Sequence, residues 1–311
     1  MTQGDFSFIE APVYQGQKHF GVSLGPEYIQ RLLRFKNYQF EGYTACGEQN
    51  QQIVIHEFYE NLSYLVEREI RRKRLLFIAG GDHSLSIGSL QGLLRYRPNL
   101  KVLWIDAHAD INTRESSLTH SFHGMPLSFL IGVDPLYDNQ EWFQERLKPE
   151  NLIYFGLRDL DLAEKQILEK YRIQHYTMAD LSRTSRSEVL KSITSSLQGC
   201  DIHISLDADG FDPSIAPSTG VPVDEGLQFN DVQSLIAEVT QVAQVLSFEF
   251  VELNPQIYQH SNDVMKTPEL GVDIFDLILK NHLAKKKSQS KHDFNILKKG
   301  VLHDFNDRYS Y

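Results

Sequence analysis

One stretch constrains this chain more than any other: Lys101-Val-Leu-Trp-Ile-Asp-Ala-His-Ala-Asp110. Residues 102–105 are apolar and β-prone, which predicts a buried strand. The strand runs directly into Asp106, His108 and Asp110 at alternate positions. Because side chains of an extended backbone alternate between two faces, these three project the same way. By itself the stretch is equally compatible with a metal site and with a solvated loop whose acids cap a helix.

Two further stretches have the same design. Residues 201–209, Asp-Ile-His-Ile-Ser-Leu-Asp-Ala-Asp, form an alternating apolar run that ends in Asp207 and Asp209. Residues 75–83 form an apolar strand followed by a Gly-Gly turn and His83. All strands of a parallel sheet end on the same edge, so residues that follow separate strands can meet in one crevice. We therefore expect the ligand-type side chains of the three stretches to lie together.

Composition narrows the class of protein. The 311 residues are 41% hydrophobic and 23% charged, which fits one large α/β domain or two smaller ones. No apolar run approaches the ~20 residues that cross a bilayer, and the N-terminus lacks the layout of a signal peptide, so we expect no membrane contact and a cytoplasmic location. The net charge of −10 disfavours nucleic-acid binding. Cys46 and Cys200 are too few for a disulfide framework and are not spaced as a metal pair.

The order of the elements predicts the fold class. Strand and helix patterns alternate, which indicates a single α/β domain with a parallel sheet of about eight strands and helices on both faces. The predicted strands are residues 6–14, 37–43, 75–80, 101–105, 151–155, 172–176, 201–206 and 245–251. The predicted helices are residues 26–35, 52–72, 84–95, 127–131, 163–171, 187–197, 231–242 and 264–283.

Two segments lie outside this pattern. The Ser/Thr-rich segment of residues 112–123 has no predicted secondary structure and follows ligand-bearing residues, where long loops line sites. The main domain is expected to span residues 1–284, followed by a basic, polar tail at residues 285–311. The tail is interpreted as a flexible solvated end, with an arm that packs on a neighbouring subunit as the alternative.

The candidate ligands together indicate two metal ions. They are His83, Asp106, His108, Asp110, Asp207 and Asp209. Two divalent cations balance the four carboxylates, which would over-charge a single cation. Mixed imidazole and carboxylate ligands suit Mn²⁺, with Fe²⁺, Co²⁺, Ni²⁺ or Zn²⁺ as alternatives. Two metals ~3.5 Å apart can share a water and lower its pKa toward neutrality, which predicts a hydrolase.

Glu252 follows the last predicted strand and is the remaining acid at a strand end. It is placed to hold a cationic group of a substrate, and the alternatives are a helix N-cap or a surface ion pair. A metallophosphoesterase also uses paired metals, but its Gly-Asn-His-type segments are absent from the sequence. A catalytically inactive relative would be expected to have lost a ligand, and all six candidates are present.

These motifs jointly resemble the ureohydrolase family, which includes arginase, agmatinase and formimidoylglutamase. The resemblance covers roughly residues 10–280 and depends on the order and spacing of several segments. The segments are Gly80-Gly-Asp-His-Ser84, Asp106-Ala-His-Ala-Asp110, His123-Gly-Met-Pro126, Ser205-Leu-Asp-Ala-Asp-Gly-Phe-Asp-Pro213, Ala216-Pro-Ser-Thr-Gly-Val-Pro222 and Val251-Glu-Leu-Asn-Pro255. The resemblance implies a three-layer α/β/α catalytic domain and a homo-oligomer, either a trimer or a hexamer.

The resemblance also implies roles for these residues. One manganese would be bound by His83, Asp106, Asp110 and Asp207, and the other by Asp106, His108, Asp207 and Asp209. A bridging hydroxide would attack a guanidinium carbon. Asp110 would pass a proton to the leaving nitrogen, and His123 would act as an acid/base shuttle. Glu252 would pair with the guanidinium.

Among the ureohydrolases, the chain looks most similar to arginase, which implies hydrolysis of L-arginine to L-ornithine and urea. The resemblance implies that Asp161 and Glu164 help to hold the substrate α-amino group, and that Asn112, Thr119 and Ser121 lie near its α-carboxylate. Arginases commonly have Ser-Gly-Asn where this chain has Thr119-His-Ser121, and Val221 replaces a residue that is often Thr. These departures keep the hydrolytic chemistry but leave agmatine, formimidoylglutamate or another guanidino acid as alternative substrates.

Overall fold

The computed structural model describes residues 6–45, 55–258 and 263–308, with side chains described up to residue 288. Cys46 and residues 52–54 of a predicted helix lie outside the described residues. None of the helices in the described part of the chain has a stretch apolar and long enough to traverse a bilayer.

The centre of the molecule is one parallel sheet, as the sequence predicted. Its eight strands within the described residues are β1 (Phe6–Ala11), β2 (Glu41–Thr44), β3 (Leu75–Gly80), β4 (Lys101–Ile105), β5 (Leu152–Leu157), β6 (Gln174–Thr177), β7 (Asp201–Asp207) and β8 (Gln244–Val251). They lie in the order β2-β1-β3-β8-β7-β4-β5-β6. All the pairings are parallel. The central strands are apolar on both faces, because helices cover both sides of the sheet.

Helices form the two outer layers. Those described are α1 (Gly25–Phe35), α2 (Ile55–Ile70), α3 (Ser86–Tyr96), α4 (Pro126–Leu130), α5 (Leu162–Tyr171), α6 (Met178–Arg183), α7 (Arg186–Leu197), α8 (Phe229–Val242) and α9 (Lys266–Arg308). Buried side chains of α1, α7, α8 and α9 form one apolar core with the sheet. Those of α2, α3, α4 and α5 form a second core on the opposite face. The predicted three-layer α/β/α architecture is therefore confirmed.

The topology brings the ligand-bearing strands side by side. The chain passes from β3 to β4 across the space that β8 and β7 later fill. The strands β3, β8, β7 and β4 are therefore neighbours at the middle of the sheet. Ligands of open α/β sheets bind at such a crossover, beyond the carboxyl ends of the strands.

Several boundaries differ from the sequence prediction. The last helix was predicted to end at residue 283, but α9 continues to Arg308. That prediction was wrong because the polar composition after Lys285 was interpreted as a helix end. The helix α6 was not predicted; it begins at a capping box in which Thr177 and Asp180 bond reciprocally. Short local capping interactions of this kind give a weak signal in sequence.

Candidate metal centre

His83 faces three carboxylates beyond the end of β3. Its Nδ1 lies 3.2 Å from Asp106 Oδ2, 3.1 Å from Asp110 Oδ2 and 3.0 Å from Asp207 Oδ2. This nitrogen is buried, yet none of the three contacts has the geometry of a hydrogen bond. A buried ring nitrogen surrounded by carboxylate oxygens is a donor set that fits a divalent cation.

His108 belongs to a second, adjacent group. Its Nδ1 lies 3.2 Å from Asp209 Oδ2 and 3.6 Å from Asp106 Oδ1. Asp106 thus faces His83 with one oxygen and His108 with the other. In the described residues, two groups have ligand atoms within 4.8 Å of one another and could hold a metal ion; they are His83, Asp106 and Asp110, and Asp106, His108 and Asp209.

The two acidic turns have the same local structure. Ile105 of β4 is paired with Leu206 of β7, so Asp106 and Asp207 leave the sheet side by side. Each aspartate then accepts a hydrogen bond from the backbone N–H two residues later, at His108 and Asp209, over 2.7 and 2.8 Å. Such Asx turns fix the carboxylates in place. The D-x-H and D-x-D spacing therefore has two roles: it forms the Asx turn, and it places two candidate ligands on one side of that turn.

Burial makes this arrangement electrostatically costly for the protein alone. The side chains of Asp106, Asp110, Asp207 and Asp209 are all buried. Burial, with the charges of Asp209 and Asp106, raises the pKa of Asp207 well above its usual range. Burial is also the main cause that raises the pKa of Asp209 to about 6. Divalent cations offset this repulsion, since a buried charge without a partner is strongly unfavourable.

A hydrogen-bond chain behind His83 orients its ring. Ser205 Oγ donates to Glu249 Oε1 over 3.2 Å and lies 2.8 Å from His83 Nε2. Because the serine hydrogen is given to Glu249, its oxygen accepts the Nε2–H of His83, and Nδ1 is left as the ligand atom. Trp104 stacks on the imidazole at 4.0 Å between ring centroids and donates from Nε1 to Asp106 Oδ2 over 2.9 Å.

Glu252 lies beside this centre at the end of β8. Its carboxylate accepts from the backbone N–H of His83 over 2.9 Å and from the side-chain amide of Gln17, and His123 Nδ1 lies 3.2 Å from Oε1. Glu252 is buried and has a positive φ of 59°, which is uncommon for a residue with a side chain. It is therefore neither a helix cap nor a surface ion pair.

A cavity of about 290 Å³ opens above the metal-ligand groups. Of the predicted substrate contacts, Asn112, Thr119, Asp161 and Glu164 line it. Asp161 and Glu164 form a capping box at the start of α5, and Asn112 Nδ2 donates to Asp161 Oδ2 over 2.7 Å. Burial and the charge of Asp110 raise the pKa of Glu164 to about 8.

Not every predicted residue lines the cavity. Ser121 does not; it lies two residues from the lining residues Thr119 and His123, and its backbone N–H bonds Thr119 Oγ1 over 3.3 Å. Ser117 and Asp159 line the cavity and were missed by the sequence reasoning. Ser117 belongs to the predicted loop of residues 112–123, and Asp159 lies two residues before Asp161. Testing every polar side chain near the predicted contacts would therefore have included both. Gln17 had no such signal, because only folding brings it to Glu252.

The chain is similar in sequence and in fold to known proteins of one family. A family model described as the arginase family matches residues 4–279. The arginase of Bacillus subtilis (strain 168) is 33% identical over 290 residues, which cover 88% of this chain and 97% of that protein. A crystal structure of Bacillus subtilis arginase superposes with a TM-score of 0.80 at 32% identity, covering 88% of this chain and 98% of that one. The Entamoeba histolytica arginase, solved in complex with L-ornithine, has a TM-score of 0.77 at 26% identity and covers 89% and 99%.

Proposed function

This chain belongs to the arginase family, and we propose that it is a dimanganese arginase, which converts L-arginine and water to L-ornithine and urea. As a member of this family it is a hydrolase that acts on the guanidino, or amidine, carbon–nitrogen bond. The observation that carries the proposal is the position of Asp106, whose two oxygens face His83 and His108 separately. One carboxylate shared between two ligand groups suits a pair of cations.

The proposed ligands follow from the two groups. His83, Asp106, Asp110 and Asp207 would hold one Mn²⁺, and Asp106, His108, Asp207 and Asp209 would hold the other. When bound, the two cations supply the Lewis acidity that makes a water molecule nucleophilic at neutral pH. The mixture of imidazole and carboxylate donors supports manganese but is also compatible with Fe²⁺, Co²⁺, Ni²⁺ or Zn²⁺.

The remaining polar groups would orient the substrate and move protons. Glu252 would pair with the guanidinium, which places the guanidinium carbon near the metal-ligand groups. The carbon–nitrogen bond to the ornithine side chain then breaks, and the departing nitrogen needs a proton. Asp110 would carry a proton to that nitrogen, and His123 would exchange protons with solvent. His123 lies between the cavity and Glu252, since it lines the cavity and contacts the carboxylate.

The amino-acid end of the substrate would lie at the cavity mouth. Asp161 and Glu164 offer carboxylate oxygens to an α-ammonium, and Asn112 and Thr119 offer neutral donors to an α-carboxylate. Ser121, the third residue proposed for the α-carboxylate, lies outside the cavity wall. The product seen with the Entamoeba histolytica arginase, L-ornithine, carries both groups. This similarity supports L-arginine as the substrate.

Agmatine is the second candidate, because it lacks the carboxylate. The described residues that line the cavity include several acids but no lysine or arginine. A carboxylate at the mouth would therefore depend on neutral donors alone, whereas an amine would be attracted by the surrounding charge. Other ureohydrolase substrates, such as formimidoylglutamate or a different guanidino acid, share the same hydrolysis.

A substrate panel tests the proposal. The purified chain, loaded with Mn²⁺ or stripped with a chelator, would be given L-arginine, agmatine, formimidoylglutamate and guanidino acids of other lengths, and release of urea or of the corresponding amide would be measured. We expect the highest kcat/KM with L-arginine and restoration of activity by Mn²⁺. Faster turnover of agmatine than of L-arginine would contradict the assignment of L-arginine as the substrate. No turnover of any compound in the panel would contradict the proposed hydrolase activity. The Asp106→Asn variant, measured alongside, controls for a contaminating hydrolase.

Three further expectations from the sequence stay predictions. They are the cytoplasmic location, the trimeric or hexameric assembly, and the division into a catalytic domain at residues 1–284 and a tail at residues 285–311. Sedimentation of the intact chain would test the assembly.

A further inference from the structure

Arg158 lies directly after β5 and is surrounded by backbone oxygen atoms. Six backbone carbonyl oxygens accept from its guanidinium, and three of them face Nη2, so one N–H of that nitrogen is shared between two acceptors. The acceptors are the carbonyls of Gly156, Asp209, Gly210, Phe211, Val223 and Asp224. A guanidinium has a planar array of five N–H donors, which suits it to hold several fixed acceptors at once.

Three of these carbonyls belong to the turn that carries a metal-ligand residue. Nη2 donates to Asp209 O over 2.6 Å and to Phe211 O over 3.1 Å, and Nη1 donates to Gly210 O over 3.2 Å. The same guanidinium reaches Val223 O over 2.8 Å in the loop that follows. Arg158 thus fixes the turn of Asp209 through its backbone carbonyls and donates no hydrogen bond to the Asp209 carboxylate.

The backbone of the same segment holds the other ligand turn. The N–H groups of Arg158 and Asp159 both donate to Ala107 O, over 2.9 and 3.1 Å. Ala107 lies between Asp106 and His108 in the chain. One short segment therefore connects the two turns that carry Asp106, His108 and Asp209, which form the second metal-ligand group.

We propose that Arg158 is a positioning residue for the second metal ion. It holds the Asp209 turn at a fixed distance from the Asp106–His108 turn, and so sets the geometry of that ion's ligands. The first group depends on the guanidinium less, because none of the carbonyls that accept from it lies in the segment of His83 or in that of Asp110. The inference rests on the two-metal centre of the proposed function, and it concerns only how this chain shapes one half of that centre.

The charge of Arg158 supports the same role. Its guanidinium interacts favourably with the carboxylates of Asp209, Asp106, Asp212 and Asp207, although burial is the larger effect and lowers its pKa. A fixed cation behind the acidic cluster reduces the repulsion among carboxylates that converge on one point. Lysine keeps this charge but cannot reach all of the carbonyls, so it separates the geometric role from the electrostatic one.

The binding of Mn²⁺ to the intact chain tests the proposal. The native protein, Arg158→Lys and Arg158→Gln would be titrated with Mn²⁺, following free Mn²⁺ by electron paramagnetic resonance and bound metal by elemental analysis. We expect two ions per native chain. In both variants we expect at least a tenfold loss of affinity for one ion and less than a threefold change for the other. With L-arginine, kcat should fall much more than KM rises.

Arg97→Lys is the matched control. Arg97 Nε bonds Asp201 Oδ2 over 2.7 Å at the opposite end of β7, far from the ligand turns along that strand. This control should bind two ions with native affinity.

Three results would overturn the inference. They are native binding of both ions by a folded Arg158 variant, equal weakening of both ions, and failure of both variants to fold while Arg97→Lys folds. The last would show that Arg158 supports the fold in general. Failure of the proposed function itself is distinguishable, since the native chain would then bind no Mn²⁺ pair.

Discussion

Nδ1 of His123 lies 3.2 Å from Oε1 of Glu252, so the proposed proton shuttle and the proposed guanidinium partner contact each other directly. Burial favours a neutral imidazole, but the hydrogen bond to Glu252 and the charges of Glu252, Asp110 and Asp82 outweigh it and raise the pKa of His123 to about 9. In the metal-free chain, the imidazolium form is therefore available as an acid throughout the neutral range. A cationic substrate that pairs with Glu252 would compete with His123 for the same carboxylate.

The first prediction concerns the pH dependence of stability. The folded-state pKa of His123 lies above the unfolded value of 6.5, so the stabilisation is complete below pH 6.5 and is lost as the pH rises to about 9. The shift corresponds to about 3.5 kcal/mol at most, since each pKa unit is about 1.4 kcal/mol. We expect Glu252→Gln to flatten this part of the stability profile of the metal-free chain and to lower the pKa of His123. Urea unfolding at several pH values and an NMR titration of the imidazole measure both effects. A native pKa near 6.5 would contradict the prediction.

The second prediction separates the two metal-ligand groups. Asp106 contributes to both groups, whereas His83 contributes to one. We expect Asp106→Asn to abolish binding of both Mn²⁺ ions and His83→Asn to weaken one. At Mn²⁺ concentrations about 100-fold above Kd, each bound ion should stabilise the native chain by roughly 2.7 kcal/mol. Thermal unfolding with and without Mn²⁺ measures this.

Asp201→Asn is the control for the charge change, because Asp201 lies at the other end of β7 and pairs with Arg97. It should keep the full increase in Tm. An equal loss of both ions in His83→Asn and Asp106→Asn would argue against two separable groups.

The third prediction concerns proton release from Glu164. Burial raises its pKa to about 8, so the carboxyl is largely protonated at neutral pH in the free protein. An α-ammonium that binds there favours the carboxylate, so L-ornithine binding at pH 7 should release a proton to the buffer. Calorimetry in two buffers of different ionisation enthalpy measures the proton count. Glu164→Gln should abolish the release, and an unchanged proton count in this variant would assign the proton to another group.

The raised pKa of Glu164 also predicts how stability depends on pH. An ion-paired carboxyl has a lowered pKa and stabilises the fold at high pH, whereas Glu164 stabilises it at low pH. The folded-state pKa of Glu164 lies above the unfolded value of 4.5, so stability is lost as the pH rises from about 4.5 to 8. Glu164→Gln should therefore make the free energy of unfolding of the metal-free chain less sensitive to pH in that range. A larger pH dependence in the variant would contradict this account.

The fourth prediction tests the loop before His123. Ser121 does not line the cavity, lies two residues from both Thr119 and His123, and is too short to replace an amide donor. Ser121→Asn should lower KM for L-arginine by about 5-fold or more, because a hydrogen bond to a charged group contributes on the order of 1–3 kcal/mol. Agmatine has no carboxylate and serves as the internal control, so its KM should stay within about twofold. A parallel change for both substrates would mean that the substitution reshapes the loop.

The convergence of the candidate ligand residues was predictable because strand endings are local. Apolar runs predict buried strands at residues 75–80, 101–105 and 201–206. His83, Asp106 and Asp207 lie within three residues of the ends of these runs. Parallel strands all end at one edge, so local patterns were sufficient to bring these side chains together. The spacing of the two acidic turns also determined which atoms accept the N–H groups of His108 and Asp209.

Only the tertiary structure decided the rest. The contacts of Glu252 with Gln17 and His123, and of Arg158 with the carbonyls of Asp209 and Val223, join residues far apart in the chain. No periodicity or motif encodes such contacts, because they depend on where loops from different strands meet above the sheet. The sequence by itself determined the sheet, its direction and which acidic side chains meet at its edge, since these follow from short-range side-chain alternation. The supporting hydrogen bonds, the shifted pKa values of His123 and Glu164, and the extent of α9 depend on packing and burial, which exist only once the chain is folded.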